Sequence, residues 1–309
     1  MRHLTTFLLT PLLIIALPFF AIITYANDTQ DEETGKPKEK IVHVNKVMDL
    51  KPTVKIQYGR DYIVAKSVFP LLTSNEDNEA NDDNDNMNAA MSIDDFNDQI
   101  AMLIKDEVSE FKQVVAENKV TTDLPKSALK NNLQIDFNIT IINKNRDPII
   151  SVRFSIHRQL AGKKELYLTH HSFNYDFNTG RVLALSDLFL PEVDYLDMLS
   201  AYSREYLSKR LRDKEKIIEG TTPVFSHFNT WNLQPNGLLI TFDQAQVASK
   251  RLGTQTVLVP YAILRELIAP DSPLGLCLKR KRSCLQQRVL TGGFMSAINT
   301  RHGALDPRV

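Results

Sequence analysis

The sequence predicts an α+β fold: an antiparallel sheet with two long packed helices, built as two intimately joined halves. Three observations carry this expectation. Apolar and polar residues alternate in three long runs between Leu133 and Phe177. Two other stretches, from Ser92 to Asn118 and from Asp194 to Glu219, place apolar residues at helical spacing. Short turn signals join the alternating runs, as in a meander of antiparallel strands.

At the N-terminus, Arg2 precedes an apolar run from Leu4 to Ile23, and Thr24-Tyr25-Ala26 leads into polar Asn27-Asp28. A positive start, an apolar middle and a small exit residue predict a signal peptide over 1–26, cleaved after Ala26. The same run is long enough for an N-terminal anchor, although Pro11 and Pro18 interrupt it. Both readings place the remainder outside the cytoplasm, in the periplasm or secreted, with a membrane as partner only if the segment is kept. Residues 27–40 read as a flexible leader.

Ile41–Val47, Thr53–Tyr58 and Tyr62–Phe69 read as short strands, the third stopped by Pro70, which cannot donate to a ladder. The Asn- and Asp-rich stretch 74–90 has too few apolar residues to offset its ordering entropy and reads as a mobile acidic loop. Asp83 and Asp85 alternate as calcium ligands do, but the loop glycine and the closing glutamate are missing, so no metal site is expected. Ser92, with Asp95 three residues on, reads as the cap of the first helix. Ile93, Phe96, Ile100, Leu103, Ile104, Phe111, Val114 and Val115 form its stripe, a partner face or, more commonly, a face packed on a sheet.

The three alternating runs follow, with Asn178-Thr179-Gly180 turning the chain after the last. The second helix has a charge-dense side from Lys209 to Lys216 and ends at Gly220. Trp231–Leu233 and Leu238–Phe242 predict a hairpin around Gln234-Pro235-Asn236-Gly237. Val257–Val259 is a last strand, and Pro260 opens a short helix to Ile268. From Ala269 the chain reads as a basic tail, with Lys279-Arg280-Lys281-Arg282 contacting an anionic surface or simply solvated. Cys277 and Cys284 are either bridged or free thiols; an oxidising compartment favours the disulfide.

The candidate chemistry centres on "THHSFNYDFNTGRVLALSDLF", Thr169 to Phe189. Adjacent strand residues point to opposite faces, so His170 and His171 cannot act on one atom or hold one metal. No HExxH, GxSxG or P-loop is present, and no cofactor is expected. No catalytic residue is assigned. His171, Phe173 and Tyr175 share a face and are the candidate binding residues. Asp176, Asp187 and Asp243 are the carboxylates available to an enzyme acting on envelope polysaccharide. Asp176 and Asp187 also sit at turn or helix-start positions, where aspartate serves local hydrogen bonds. Thirty-seven basic residues balance thirty-seven acidic ones, so charge does not point to nucleic acid.

"SFNYDFNTGRVLALSDLF", "FNTWNLQPNGLLITFDQAQVASKRLG" and "VLVPYAILRELI" occur in this order, and together they resemble the extracytoplasmic family named domain of unknown function 3298, of the RsiV-like C-terminal ectodomain kind. Tyr62 to His157 is similar in layout to the partner module of those ectodomains, shared with peptidoglycan deacetylases of the PdaC kind. The resemblance implies an N-terminal half over 41–160, a C-terminal half over 161–268 and a tail over 269–309. It departs where Ala161-Gly162-Lys163-Lys164 stands in place of the family's Gly-Ala-His step, and where Ala245 replaces an expected aromatic residue. The resemblance implies a non-enzymatic binding module of the bacterial cell envelope, with lysozyme, another envelope protein or cell-wall glycan as partner. A polysaccharide-acting enzyme and a purely structural envelope protein are the alternatives. Only three residues precede the apolar run, and nothing after Ile268 reads as a deacetylase, so those relatives' signalling and hydrolytic activities are not expected to transfer.

Overall fold

The structure is a computed structural model and describes residues 42–44, 48–59, 62–74, 83–118, 131–142, 148–279 and 288–292. It is a mixed α+β fold with two sheets. The large sheet runs β1 (Val42–His43), β2 (Met48–Gln57), β3 (Tyr62–Ser74), β4 (Asn131–Ile142), β5 (Ile149–Gln159), β6 (Leu166–Asp176) and β7 (Arg181–Val182), and β11 (Arg288–Gly292) adds beside β4. The small sheet is a meander of β8 (Trp231–Gln234), β9 (Gly237–Phe242) and β10 (Gln255–Pro260).

The large sheet is not wholly antiparallel, which corrects the sequence expectation. β3 and β4 pair parallel, with Ser67 opposite Ile135, while the other neighbours pair antiparallel. Parallel neighbours need a crossover, and α1 (Asp83–Glu117) lies between β3 and β4 in the chain. α1 also starts earlier than expected. Residues 83–90, read as part of a mobile loop, are helical, and Ser92 lies inside the helix rather than capping it.

Pro70 does not stop β3. It faces Pro52 of β2, and β3 continues to Ser74. Two prolines can face each other only at a pair that exchanges no backbone hydrogen bonds, and the ladder to β4 ends at Ser67. The missing N–H groups therefore cost nothing there.

The second long helix is broken. α2 (Tyr195–Ser208) ends before Lys209, and α3 (Lys214–Gly220) starts afresh. Asp213 begins the new helix, its carboxylate accepting the Lys216 N–H at 3.1 Å. Leu211 turns in between to pack on the second core, and Arg210 lies 4.2 Å from the Tyr206 ring centre. Gly220 closes α3 because nothing larger fits: a Cβ there would lie 2.2 Å from the Gln246 carbonyl.

After β10, the helix opened by Pro260 is a single turn, α4 (Tyr261–Leu264), and Ile268 then bridges to Phe189. Beyond Ala269 the chain carries two further elements. Pro273–Lys279 forms α5 with Leu274 fully buried, and β11 returns to the large sheet. Residues 1–40, the Arg280–Arg282 part of the basic run and Cys284 lie outside the described residues. So do the signal or anchor segment and the expected bridge.

Two cores result. One lies between α1 and one face of β2–β6 and includes Phe96, Phe111, Phe137, Phe154 and Tyr175. The other joins the small sheet to α2–α5 and the Leu185–Leu188 turn, around Trp231, Phe228, Phe242 and Leu264. No helix among the described residues is long and apolar enough to cross a membrane.

Candidate functional site on strand β6

Alternation along β6 sends His171, Phe173 and Tyr175 toward α1, and His170, Ser172 and Asn174 toward the small sheet. The expected separation of the two histidines therefore holds.

On the α1 side, Phe96 is the hub. Its ring lies 5.5 Å from Phe173 and 5.6 Å from Tyr175, both edge-on. The Tyr175 hydroxyl donates to Asp95 Oδ2 at 2.8 Å. Burial, and then the Asp95 carboxylate, push the Tyr175 phenol well above its ordinary value. Phe173 and Tyr175 are thus covered by helix, and of the three candidate binding residues only His171 reaches solvent. Its Nδ1 lies 3.1 Å from Glu107 Oε1, and the other oxygen of that carboxylate, Oε2, takes a hydrogen bond from Arg158. Burial raises the Glu107 carboxyl, while His171 and Arg158 pull it back. Arg158 bonds Glu110 at 3.0 Å and the Thr169 hydroxyl at 3.1 Å as well, tying α1 to β5 and β6.

On the small-sheet side the joint is polar. The Ser151 hydroxyl donates to Asn174 Oδ1 and accepts from Asn232 Nδ2 and the Leu233 N–H, both at 3.0 Å, which uses its full capacity. Asn174 donates to the Trp231 carbonyl at 3.0 Å, and the Trp231 N–H donates to Ser172 Oγ at 3.2 Å. Further along, His170 Nδ1 lies 2.7 Å from Asp243 Oδ1. Burial lowers the His170 pKa, although the bond to Asp243 opposes the shift.

Beside this pair the register lines up Asp136, Ser155 and His170 across three strands, with Arg153 and His157 flanking Ser155 on the same face. Asp136 Oδ1, Arg153 Nε, Ser155 Oγ and His157 Nε2 are buried and find no hydrogen-bond partner among the described residues. A serine, a histidine and two carboxylates thus lie close together. They do not form a nucleophilic relay, because the Ser155 hydroxyl is not bonded to His170. Sequence reasoning missed this row. Its members are scattered over a hundred residues, and only strand register brings them together.

The remaining carboxylates serve the chain itself. Asp176 caps the β6–β7 turn, accepting the Asn178 N–H at 3.1 Å and the Thr179 hydroxyl at 2.7 Å. Asp187 accepts the Ala184 N–H and an Arg181 N–H, each at 2.8 Å. Both match the local roles read from sequence. Among the described residues no group of three or more His, Cys, Asp or Glu side chains could hold a metal ion.

These features define an α+β protein whose two sheets are welded through one polar strand face. Residues 186–262, from the Leu185–Leu188 turn to the start of α4, match the family model described as "Protein of unknown function (DUF3298)". Over 162 residues the chain is 26% identical to peptidoglycan-N-acetylmuramic acid deacetylase PdaC of Bacillus subtilis, covering 52% of this chain and 34% of that protein. The chain therefore spans about a third of that relative's length. Two crystal structures of DUF3298 family proteins are similar. One, from Bacteroides fragilis, has a TM-score of 0.47 at 12% identity, covering 79% of this chain and 99% of its own. The other, from Pseudomonas aeruginosa, has a TM-score of 0.41 at 11% identity, covering 72% and 94%.

Proposed function

We propose that the protein is a non-enzymatic binding module of the bacterial cell envelope and that its ligand is cell-wall glycan. The observation that supports this most is the condition of its carboxylates. A glycan hydrolase needs two carboxyl groups facing one scissile bond. Here Asp176 holds a turn, Asp187 holds a cap and Arg181, and Asp243 holds His170. A glycan ligand is supported by the identity over 162 residues with part of a peptidoglycan deacetylase. An extracytoplasmic location rests on the signal-like residues 1–26.

One observation favours a second reading. The His170–Asp243 pair has the geometry of a general base and its orienting carboxylate, and would serve an enzyme acting on envelope polysaccharide. The two readings separate when the full chain is incubated with soluble peptidoglycan fragments, with immobilised lysozyme run in parallel. Saturable glycan binding with unchanged fragment masses is the expected result. A mass change in the fragments would install the enzyme instead. Lysozyme binding without glycan binding would make the protein a lysozyme-binding module, and silence on both would overturn the proposal.

A further inference from the structure

The loop before β6 and the turn after β9 meet at the surface. Lys163, Lys164 and Glu165 come from the first and lead into Leu166 and Tyr167 at the start of β6, and Lys250, Arg251 and Leu252 come from the second. They are joined by named contacts. Lys250 pairs with Glu165, and its Nζ lies 3.9 Å from the Tyr167 ring centre. One step inward, the Leu168 N–H donates to Gln244 Oε1 at 3.3 Å, which fixes the two segments against each other. Neither segment is committed to a core here: Tyr167 is 41% exposed, Leu166 44% and Leu252 53%.

The two segments thus carry Lys163, Lys164, Lys250 and Arg251 together with Glu165 and the partly exposed Tyr167, on a chain whose net charge is zero. Lys250 already neutralises Glu165, and this contact holds the Glu165 carboxyl below its ordinary value. Lys163, Lys164 and Arg251 are exposed and within reach of a partner. An exposed ring offers a flat apolar surface to the C–H face of a sugar, and flanking cations attract carboxylates borne by the same polymer.

We propose that Tyr167, Lys163, Lys164 and Arg251 form a binding site for an acidic wall glycan, the sugar stacking on the Tyr167 face that Lys250 leaves open and its carboxylates meeting the other three cations. This deepens the glycan-binding reading and rests on it. A lipid surface fits less well, because Glu165 lies in the middle of the patch and only Leu166 and Leu252 are available to insert.

The test compares the full chain with Lys163→Glu/Lys164→Glu and with Tyr167→Ala. Binding is measured to purified peptidoglycan sacculi and to phosphatidylglycerol vesicles across a salt series. All substituted residues are exposed, and a matched thermal melt confirms that each variant is folded. The site predicts saturable sacculus binding that weakens at least tenfold in the double charge reversal, with a shallower salt dependence. It predicts a roughly fivefold loss in Tyr167→Ala with the salt dependence retained. Sacculus binding equal in all three proteins would overturn this site and leave the glycan reading standing. Binding to vesicles but not sacculi would overturn both and make the patch a membrane surface. Binding to neither would overturn both as well.

Discussion

The two faces of β6 are sealed by opposite chemistry. Toward α1 the contacts are rings and aliphatic side chains: Phe96 against Phe173, Tyr175 and Phe177. Toward the small sheet they are hydrogen bonds from Ser151, Ser172, Asn174 and Asn232. Apolar packing is strong but tolerant of small shifts in register, whereas a saturated hydroxyl accepts one arrangement only. The α1 face therefore supplies most of the stability, and the polar face dictates how the small sheet docks. A strand polar on one side and aromatic on the other looks like a binding surface in sequence, yet here both sides are mostly consumed within the fold.

The largest effect expected from breaking this contrast is Phe96→Ala, which empties the hub of the aromatic cluster and should cost about 3–5 kcal/mol in denaturant unfolding. Ser151→Ala removes one oxygen atom but leaves the Leu233 N–H, the Asn232 amide and Asn174 Oδ1 each one partner short. It should cost about 2–4 kcal/mol despite the minimal change in volume. A loss below about 1 kcal/mol would mean that the polar joint is not the rigid element described.

The polar face also makes a pH prediction. Burial lowers the His157 and His170 pKa values from the ordinary 6.5. Folded chains then bind fewer protons than unfolded ones, so this stabilisation is present above pH 6.5 and is lost as the pH falls through and below it. Asp136 and Glu107, raised by burial, act in the opposite sense: their contribution is full at acid pH and is lost as the pH rises through their folded values. His157→Gln should flatten the decline in stability as the pH falls below about 6.5 by up to about one proton, read as the slope of unfolding free energy against pH.

Smaller still, Tyr175→Phe deletes the hydrogen bond to Asp95 while keeping the ring, and should cost about 1 kcal/mol. Ala245 sits at φ 69°, where a Cβ is strained, so Ala245→Gly should gain up to about 1 kcal/mol in the same assay.

Much of this layout was readable before any coordinates. The meander of β4–β6 followed from strict alternation, and the roles of Asp176 and Asp187 followed from the turn and helix start beside them. Four features were not readable, each for a physical reason. The parallel β3–β4 pair depends on a crossover whose first turns lie in an Asn- and Asp-rich stretch of poor helix propensity. The break at Asp213 was hidden because its charged neighbours resemble an ordinary solvated helix face. A partly buried aromatic face is legible in β6, but the full burial of Phe173 and Tyr175 depends on where α1 lands, which periodicity in β6 cannot specify. The His170–Asp243 contact joins residues 73 apart in the chain, so no local pattern announces it.

The His170–Asp243 pair serves either as a strut between the sheets or as an acid–base couple, and the two roles differ in what its loss does. The decisive measurement is Asp243→Ala, assayed together for unfolding free energy, affinity for peptidoglycan fragments and any change in fragment mass. A strut predicts a loss of about 1–3 kcal/mol with glycan affinity unchanged and no turnover in either protein. Turnover by the native chain that disappears in Asp243→Ala, with stability intact, would contradict the account.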